Sequence, residues 1–208
     1  MTDEINLPLI LLAALMATAS PGPATLAIAG TSMTSGRAHG LALAAGVTSG
    51  SWIWSLAAAL GLGAVMLANA WAFEVMRYFG AGYLLYLAFR SARSALRPSA
   101  AATKAVVVTS RSKAYARGLA LHLTNPKAIL FFGSLYAIGI PPGAPLSSLV
   151  VVIAAIGLQS LILFHAYALL FSSAPMVAGY AKLRRWFEAL FAVAFGLAGL
   201  KILTARLD

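Results

Sequence analysis

The sequence lacks most of the chemistry on which soluble enzymes depend. It contains no cysteine, which removes disulfides, thiolate metal sites and thiol redox chemistry. Only five of its 208 residues are acidic, Asp3, Glu4, Glu74, Glu188 and Asp208, and its three histidines, His39, His122 and His165, are scattered. So sparse a set argues against a glycosidase-type carboxylate pair or a carboxylate-bridged metal. There is no GxGxxG, GxxxxGK[ST] or GxSxG segment, so neither a cofactor nor a metal is expected. Charged residues make up 10% of the chain, against about 25% in a soluble domain. Its surface cannot be covered with polar groups, and lipid is the expected solvent.

What is present is hydrophobic, at 61%, with a net charge of +10. The basic residues lie between long apolar runs rather than on a soluble face interleaved with aromatics, which argues for cytoplasmic membrane loops and against nucleic acid. A hydrocarbon core of about 30 Å needs roughly 20 apolar helical residues. Six runs meet that length: Ile5 to Ala29, Leu41 to Leu67, Ala70 to Phe89, Leu119 to Ile138, Leu146 to Phe171 and Trp186 to Thr204. Ala17-Thr18-Ala19 looks like a signal-peptidase site. The segment before it carries Asp3 and Glu4 and no Lys or Arg, the wrong leading region for a signal peptide, so the run is expected to remain as a span.

Charge alternates along the loops. The first, third and fifth hold eleven of the fifteen basic residues, seven of them in the third. This bias places the odd-numbered loops in the cytoplasm and both termini outside. The stretch from Pro98 to Ser112 reads as a mobile basic linker that sets topology, with contact to anionic lipid as the alternative.

The linker divides the chain near its midpoint, and the halves rhyme. Pro21 precedes Pro126 by 105 residues, and Arg77-Tyr78-Phe79 precedes Arg185-Trp186-Phe187 by 108. Two repeats of three crossings each are necessarily inverted. Matching proline-broken helices in inverted repeats point to the substrate site of a secondary transporter.

Within the breaks, Pro21-Gly22-Pro23 removes two backbone donors, so the helix cannot pass through without leaving carbonyls unpaired. Ser20 borders this break. Lys127 lies midway along the fourth span, where an ammonium costs about 2.5–3.5 kcal/mol on insertion scales. It suits either a substrate carboxylate or the carbonyls exposed by Pro126. Asn125 could cap the half-helix that begins at Pro126. Gly46 and Gly50 form a GxxxG pair, best explained by helix packing, although Gly50-Ser51-Trp52 could present backbone to a substrate. His122 and His165 lie deep in spans and read as core histidines or a proton relay.

At these residues the chain resembles the lysine exporter family (LysE/RhtB type). The resemblance rests on Ser20-Pro21-Gly22-Pro23, on Gly36-Arg37 with Gly40, Gly46 and Gly50, on Ala72-Phe73-Glu74 with Gly80-Ala81-Gly82-Tyr83-Leu84, and on Asn125-Pro126-Lys127 with Leu130-Phe131-Phe132. It implies an amino-acid exporter of the bacterial inner membrane, driven by the proton-motive force. Many relatives carry an Asp where this chain has Ser51, and another near Gln159 and Ser160. With those acids absent, a neutral amino acid or small zwitterion is expected rather than lysine, because no intramembrane carboxylate is available for a second ammonium.

The resulting expectation is an all-α integral membrane protein with six transmembrane helices in two inverted three-helix repeats, helices 1 and 4 broken. Repeat one covers about 1–97, the linker 98–115 and repeat two 116–208. The expected substrate site comprises Ser20, Pro21, Gly22, Pro23, Gly46, Gly50, Ser51, Asn125, Pro126 and Lys127, with His122 and His165 as the candidate relay. The expected partners are an amino-acid-like small molecule and membrane lipid, with homo-oligomerisation left open. A membrane-embedded scaffold or enzyme without transport activity is the alternative.

Overall fold

The computed structural model describes residues 5–20, 22–68, 70–96, 109–141 and 144–204. Among them the chain is all helix: α1 (Leu7–Ala19), α2 (Pro23–Ser35), α3 (Arg37–Ala68), α4 (Ala70–Leu96), α5 (Arg111–Leu123), α6 (Pro126–Gly139), α7 (Leu146–Leu170) and α8 (Ala174–Thr204). The helix ends follow local chemistry. Asn6 caps α1 by accepting from the Leu9 N–H at 3.1 Å, and Ser110 caps α5 by accepting from that of Lys113 at 3.3 Å. Proline occupies the first turn of α1, α2 and α6, where its missing donor does no harm. Gly36 ends α2 at φ 85°, a left-handed conformation that favours glycine.

α3 over Arg37–Gly61 and α7 over Leu146–Leu170 are each long and apolar enough to cross a membrane, and α1 with α2, bent by 52°, are so as a pair. Two helices start earlier than apolarity alone suggests. α5 begins at Arg111 rather than Leu119, and α8 at Ala174 rather than Trp186. Arg, Lys, Ala and Leu are good helix formers, and a basic residue extends a helix while its long stem reaches outward. The mobile-linker expectation falls mainly on 98–108, outside the described residues. From Arg111 onward its end is helical.

Polarity is distributed as lipid immersion requires. Leu146, Val150, Val151, Leu158 and Ile162 of α7 are exposed, as are Leu190, Val193, Leu197 and Leu200 of α8. Ser51, Ser55, His122, Asn125, Ser160 and Glu188 are buried. With apolar solvent outside, close backbone approach and interhelical hydrogen bonds hold the bundle. The α3–α5 crossing shows the first device: a Cβ on Gly46 would overlap the Tyr115 carbonyl, and one on Gly118 the Leu43 carbonyl. Gly157 of α7 lies against the Trp52 ring of α3, while Arg37 Nε donates to Ser172 Oγ at 3.4 Å at the other end of that pair, so α3 and α7 run antiparallel. α4 and α8 are antiparallel too, with Ser94 beside Glu188, Ala88 beside Gly196 and Leu85 beside Gly199.

Candidate functional site

Two breaks lie next to each other inside the bundle, one between α1 and α2 and one between α5 and α6. A helix C-terminus leaves its last carbonyls without intrahelical partners, which lipid cannot supply. At the first break, Lys127 Nζ donates to the Ser20 carbonyl at 3.1 Å, and the Tyr167 hydroxyl to that of Ala19 at 2.9 Å. At the second, Trp54 Nε1 donates to the His122 carbonyl at 3.3 Å, while the Tyr83 hydroxyl donates at 2.9 Å to the Lys127 carbonyl in the first turn of α6. Each break is thus held by side chains from the other half of the chain.

The starts of α2 and α6 are built differently. The Thr25 hydroxyl accepts from the Gly22 N–H at 2.8 Å, reaching back from within its own helix. Asn125 Oδ1 accepts from the Lys127 N–H at 3.0 Å, an ordinary side-chain cap. A Cβ on Gly22 would lie 3.4 Å from Lys127 Cδ, so this glycine flanks the lysine stem.

Between the breaks is a cavity of about 50 Å³, room for a few waters. Ser20, Gly22, Thr25, Asn125 and Lys127 line it from the breaks, Ser51 and His122 from α3 and α5, Ser160 from α7, and Phe131, Phe132 and Phe164 supply aromatic walls. His122 Nε2 is 3.1 Å from Ser51 Oγ, whose hydroxyl reaches the Val47 carbonyl at 3.3 Å. His122 Nδ1 is buried without a hydrogen-bond partner among the described residues. Among the described residues no carboxylate lines the cavity.

Five of the expected substrate residues therefore meet here: Ser20, Gly22, Ser51, Asn125 and Lys127. The others do not. Pro21 lies outside the described residues. Pro23 and Pro126 are exposed at the first positions of α2 and α6, where they define the breaks. Gly46 packs α3 on α5, and a Cβ on Gly50 would lie 2.9 Å from His122 Cβ and 3.0 Å from its ring, so both glycines serve packing. His165 is separate from the cavity: its Nδ1 bonds to the Leu161 carbonyl of its own helix at 2.8 Å. As a structural group Lys127 serves the Ser20 carbonyl of the opposite break, while the His122 carbonyl that Pro126 leaves without its intrahelical donor accepts from Trp54 Nε1.

Sequence reasoning missed Thr25, Tyr83, Trp54 and Tyr167, whose roles exist only through contacts between helices distant in sequence. It also missed Glu188. Glu188, in the middle of α8, is buried, only 3% exposed. Starting the sixth span at Trp186 had put this acid at a span end; the longer helix buries it against α4.

The family described as LysE type translocator matches residues 15–206. The chain belongs to the LysE type translocator family. Among relatives of this translocator are the threonine efflux proteins of Salmonella typhi and of Escherichia coli strain K12. Each is 27% identical over 194 residues, which cover 92% of this chain and 94% of that protein. An uncharacterized membrane protein of Pseudomonas aeruginosa is 32% identical over 169 residues, 79% of this chain and 78% of its own. No solved structure matches the chain.

Proposed function

We propose that this translocator is a secondary exporter of small neutral amino acids across the bacterial inner membrane, driven by the proton-motive force. The observation that carries the reading is the bond from Lys127 Nζ to the Ser20 carbonyl beside the cavity. An ammonium and a free carbonyl are the complement of a zwitterion. A substrate entering between them takes the ammonium of Lys127 on its carboxylate and gives its own ammonium to the Ser20 carbonyl. The N-terminal turns of α2 and α6 add positive ends near the carboxylate. Ser51, Thr25 and His122 are the polar contacts for the remainder of the substrate, and the phenylalanines exclude water.

The reading includes six spans in two inverted repeats, with alternating access around the cavity. Its support is a shared spacing. Trp52 and Gly157, which face each other, are 105 residues apart, as are Pro21 and Pro126. Ala88 and Gly196, also in contact, are 108 apart, as are Arg77 and Arg185. Equivalent residues meeting on antiparallel helices are what a two-fold axis in the membrane plane produces. The hydrogen bond from Arg37 to Ser172 also brings the α2–α3 and α7–α8 turns together, in keeping with basic odd-numbered loops on the cytoplasmic side and termini outside.

The enzyme alternative has one feature in its favour, the Ser51–His122 contact. A nucleophile pair needs the histidine's second nitrogen oriented by a third group. Here Nδ1 has no such partner, and the Ser51 hydroxyl reaches its own helix. Transport is the better reading.

Its test is efflux and counterflow of radiolabelled L-threonine and other small neutral amino acids in proteoliposomes. Lys127→Met and Lys127→Ala are expected to abolish flux. Wild-type flux in both variants would refute the role of the lysine.

A further inference from the structure

We propose that Glu188 is the residue that binds and releases the coupling proton of this translocator. The inference rests on the proton-driven reading above and assigns the step that the cavity cannot perform. A proton antiporter needs a group that is charged in one part of the cycle and neutral in another. Among the described residues the cavity lining includes no carboxylate, and its lysine is committed to the Ser20 carbonyl or to substrate. Glu188 is the only acid among the described side chains, and it is buried.

Its surroundings are suited to a change of charge. Ser94 Oγ of α4 donates to Glu188 Oε1 at 2.8 Å, and Arg184 Nη2 donates to the same Ser94 Oγ at 2.7 Å. The serine hydroxyl therefore separates anion from cation: it gives its proton to one and a lone pair to the other. When the second carboxylate oxygen of Glu188 takes up a proton, both bonds can persist and Arg184 keeps its partner. A direct buried ion pair would instead lose its compensation on protonation, at considerable cost.

The same helix links this cluster to the cavity. Leu87, Ser91 and Ser94 follow one another at helical spacing on α4, all turned inward or partly so, and Tyr83 lies one turn before Leu87. The Tyr83 hydroxyl donates to the Lys127 carbonyl. One face of α4 thus touches both the first turn of α6, where substrate would engage Lys127, and the carboxylate on α8. A shift of α6 on substrate binding bears on α4 and through Ser94 on Glu188.

Other charged and titratable groups near the acid are few. On α4, Arg90 and Arg93 are exposed, with the Arg90 guanidinium 5.9 Å from the centre of the Tyr86 ring. On α8 itself, Arg184 and Tyr180 lie within reach of the Glu188 charge, and so does Lys127 of α6. α1, which also touches α8, carries no titratable side chain.

The test uses the full-length protein in proteoliposomes with radiolabelled L-threonine. It compares counterflow without a pH gradient against accumulation driven by an imposed one. Glu188→Gln is expected to keep counterflow within about twofold and to lose gradient-driven accumulation by roughly tenfold or more, with Glu188→Asp restoring part of it. Equal loss of both activities, or wild-type accumulation in the Gln variant, would overturn the proposal. If the Gln variant does not insert, Ser94→Ala and Glu188→Asp decide: gradient-driven accumulation must fall further than counterflow, and parallel falls overturn it. His122→Gln is expected to change both activities in proportion; selective loss of gradient drive there would move the proton site to the histidine and overturn the assignment. A wild-type protein with counterflow but no response to the gradient would refute the proton-driven reading itself, whereas a responsive wild type with an unaffected Glu188→Gln refutes only this inference.

Discussion

The two helix breaks solve the same problem with different chemistry. At the second, the Trp54 indole donates to the His122 carbonyl at the end of α5, the Tyr83 phenol holds the first turn of α6 through the Lys127 carbonyl, and Asn125 caps the new helix. At the first, a neutral phenol holds Ala19, but an ammonium that also lines the cavity holds Ser20. Neutral donors have little reason to leave. An ammonium prefers a carboxylate to a carbonyl, since the full negative charge adds Coulombic attraction to the hydrogen bond. The second break is therefore held by neutral donors alone, whereas in the proposed transport reading the first is the one that exchanges its donor with substrate.

The largest effect should come from damage to the frame. Gly118→Val would drive a side chain into the Leu43 carbonyl at the crossing that supports the second break. Little folded protein should be recovered by size-exclusion chromatography in detergent; a monodisperse variant would mean that α3 and α5 can part without loss. Next is Lys127→Met, which should remove transport by at least about tenfold while leaving a folded protein, because uncharged methionine fills a similar volume. Unfolding of that variant would instead make the lysine part of the frame.

Smaller effects separate the two helix starts. Asn125→Ala should cost about 1 kcal/mol in thermal or denaturant unfolding, and Asn125→Asp much less, because a side-chain oxygen is what the cap requires. Tyr167→Phe and Trp54→Phe should each cost about 1 kcal/mol through a lost hydrogen bond, with the former altering transport more than the latter. Equal transport effects would erase the distinction between a break held by neutral donors and one that exchanges its donor. The smallest loss is expected for Thr25→Val, about 0.5 kcal/mol, since its bond to the Gly22 N–H is local and the methyl replaces the hydroxyl in volume.

Much of this was legible in the chain. Pro23 and Pro126 mark where helices must restart, since a prolyl nitrogen cannot donate to the turn before it. A lysine flanked by apolar residues demanded a polar partner, and the structure supplies one. Less legible was the start of α8. Lys182, Arg184 and Arg185 lower local apolarity although their backbone is helical, and this hid the burial of Glu188. Gly46 was open to two uses, with packing the better explanation, and the carbonyl of Tyr115 fills the space beside it.

The sequence by itself determined the solvent, the helical class and the two places where helices break, because composition, apolar run length and proline act locally along the chain. Only the tertiary structure decided what each break's carbonyls meet, that His122 joins the cavity while His165 does not, and that the one described acid is buried between α4 and α8. Those outcomes depend on which helices touch and at what register. In lipid, where small residues and single hydrogen bonds set that register, neither is written in any one segment.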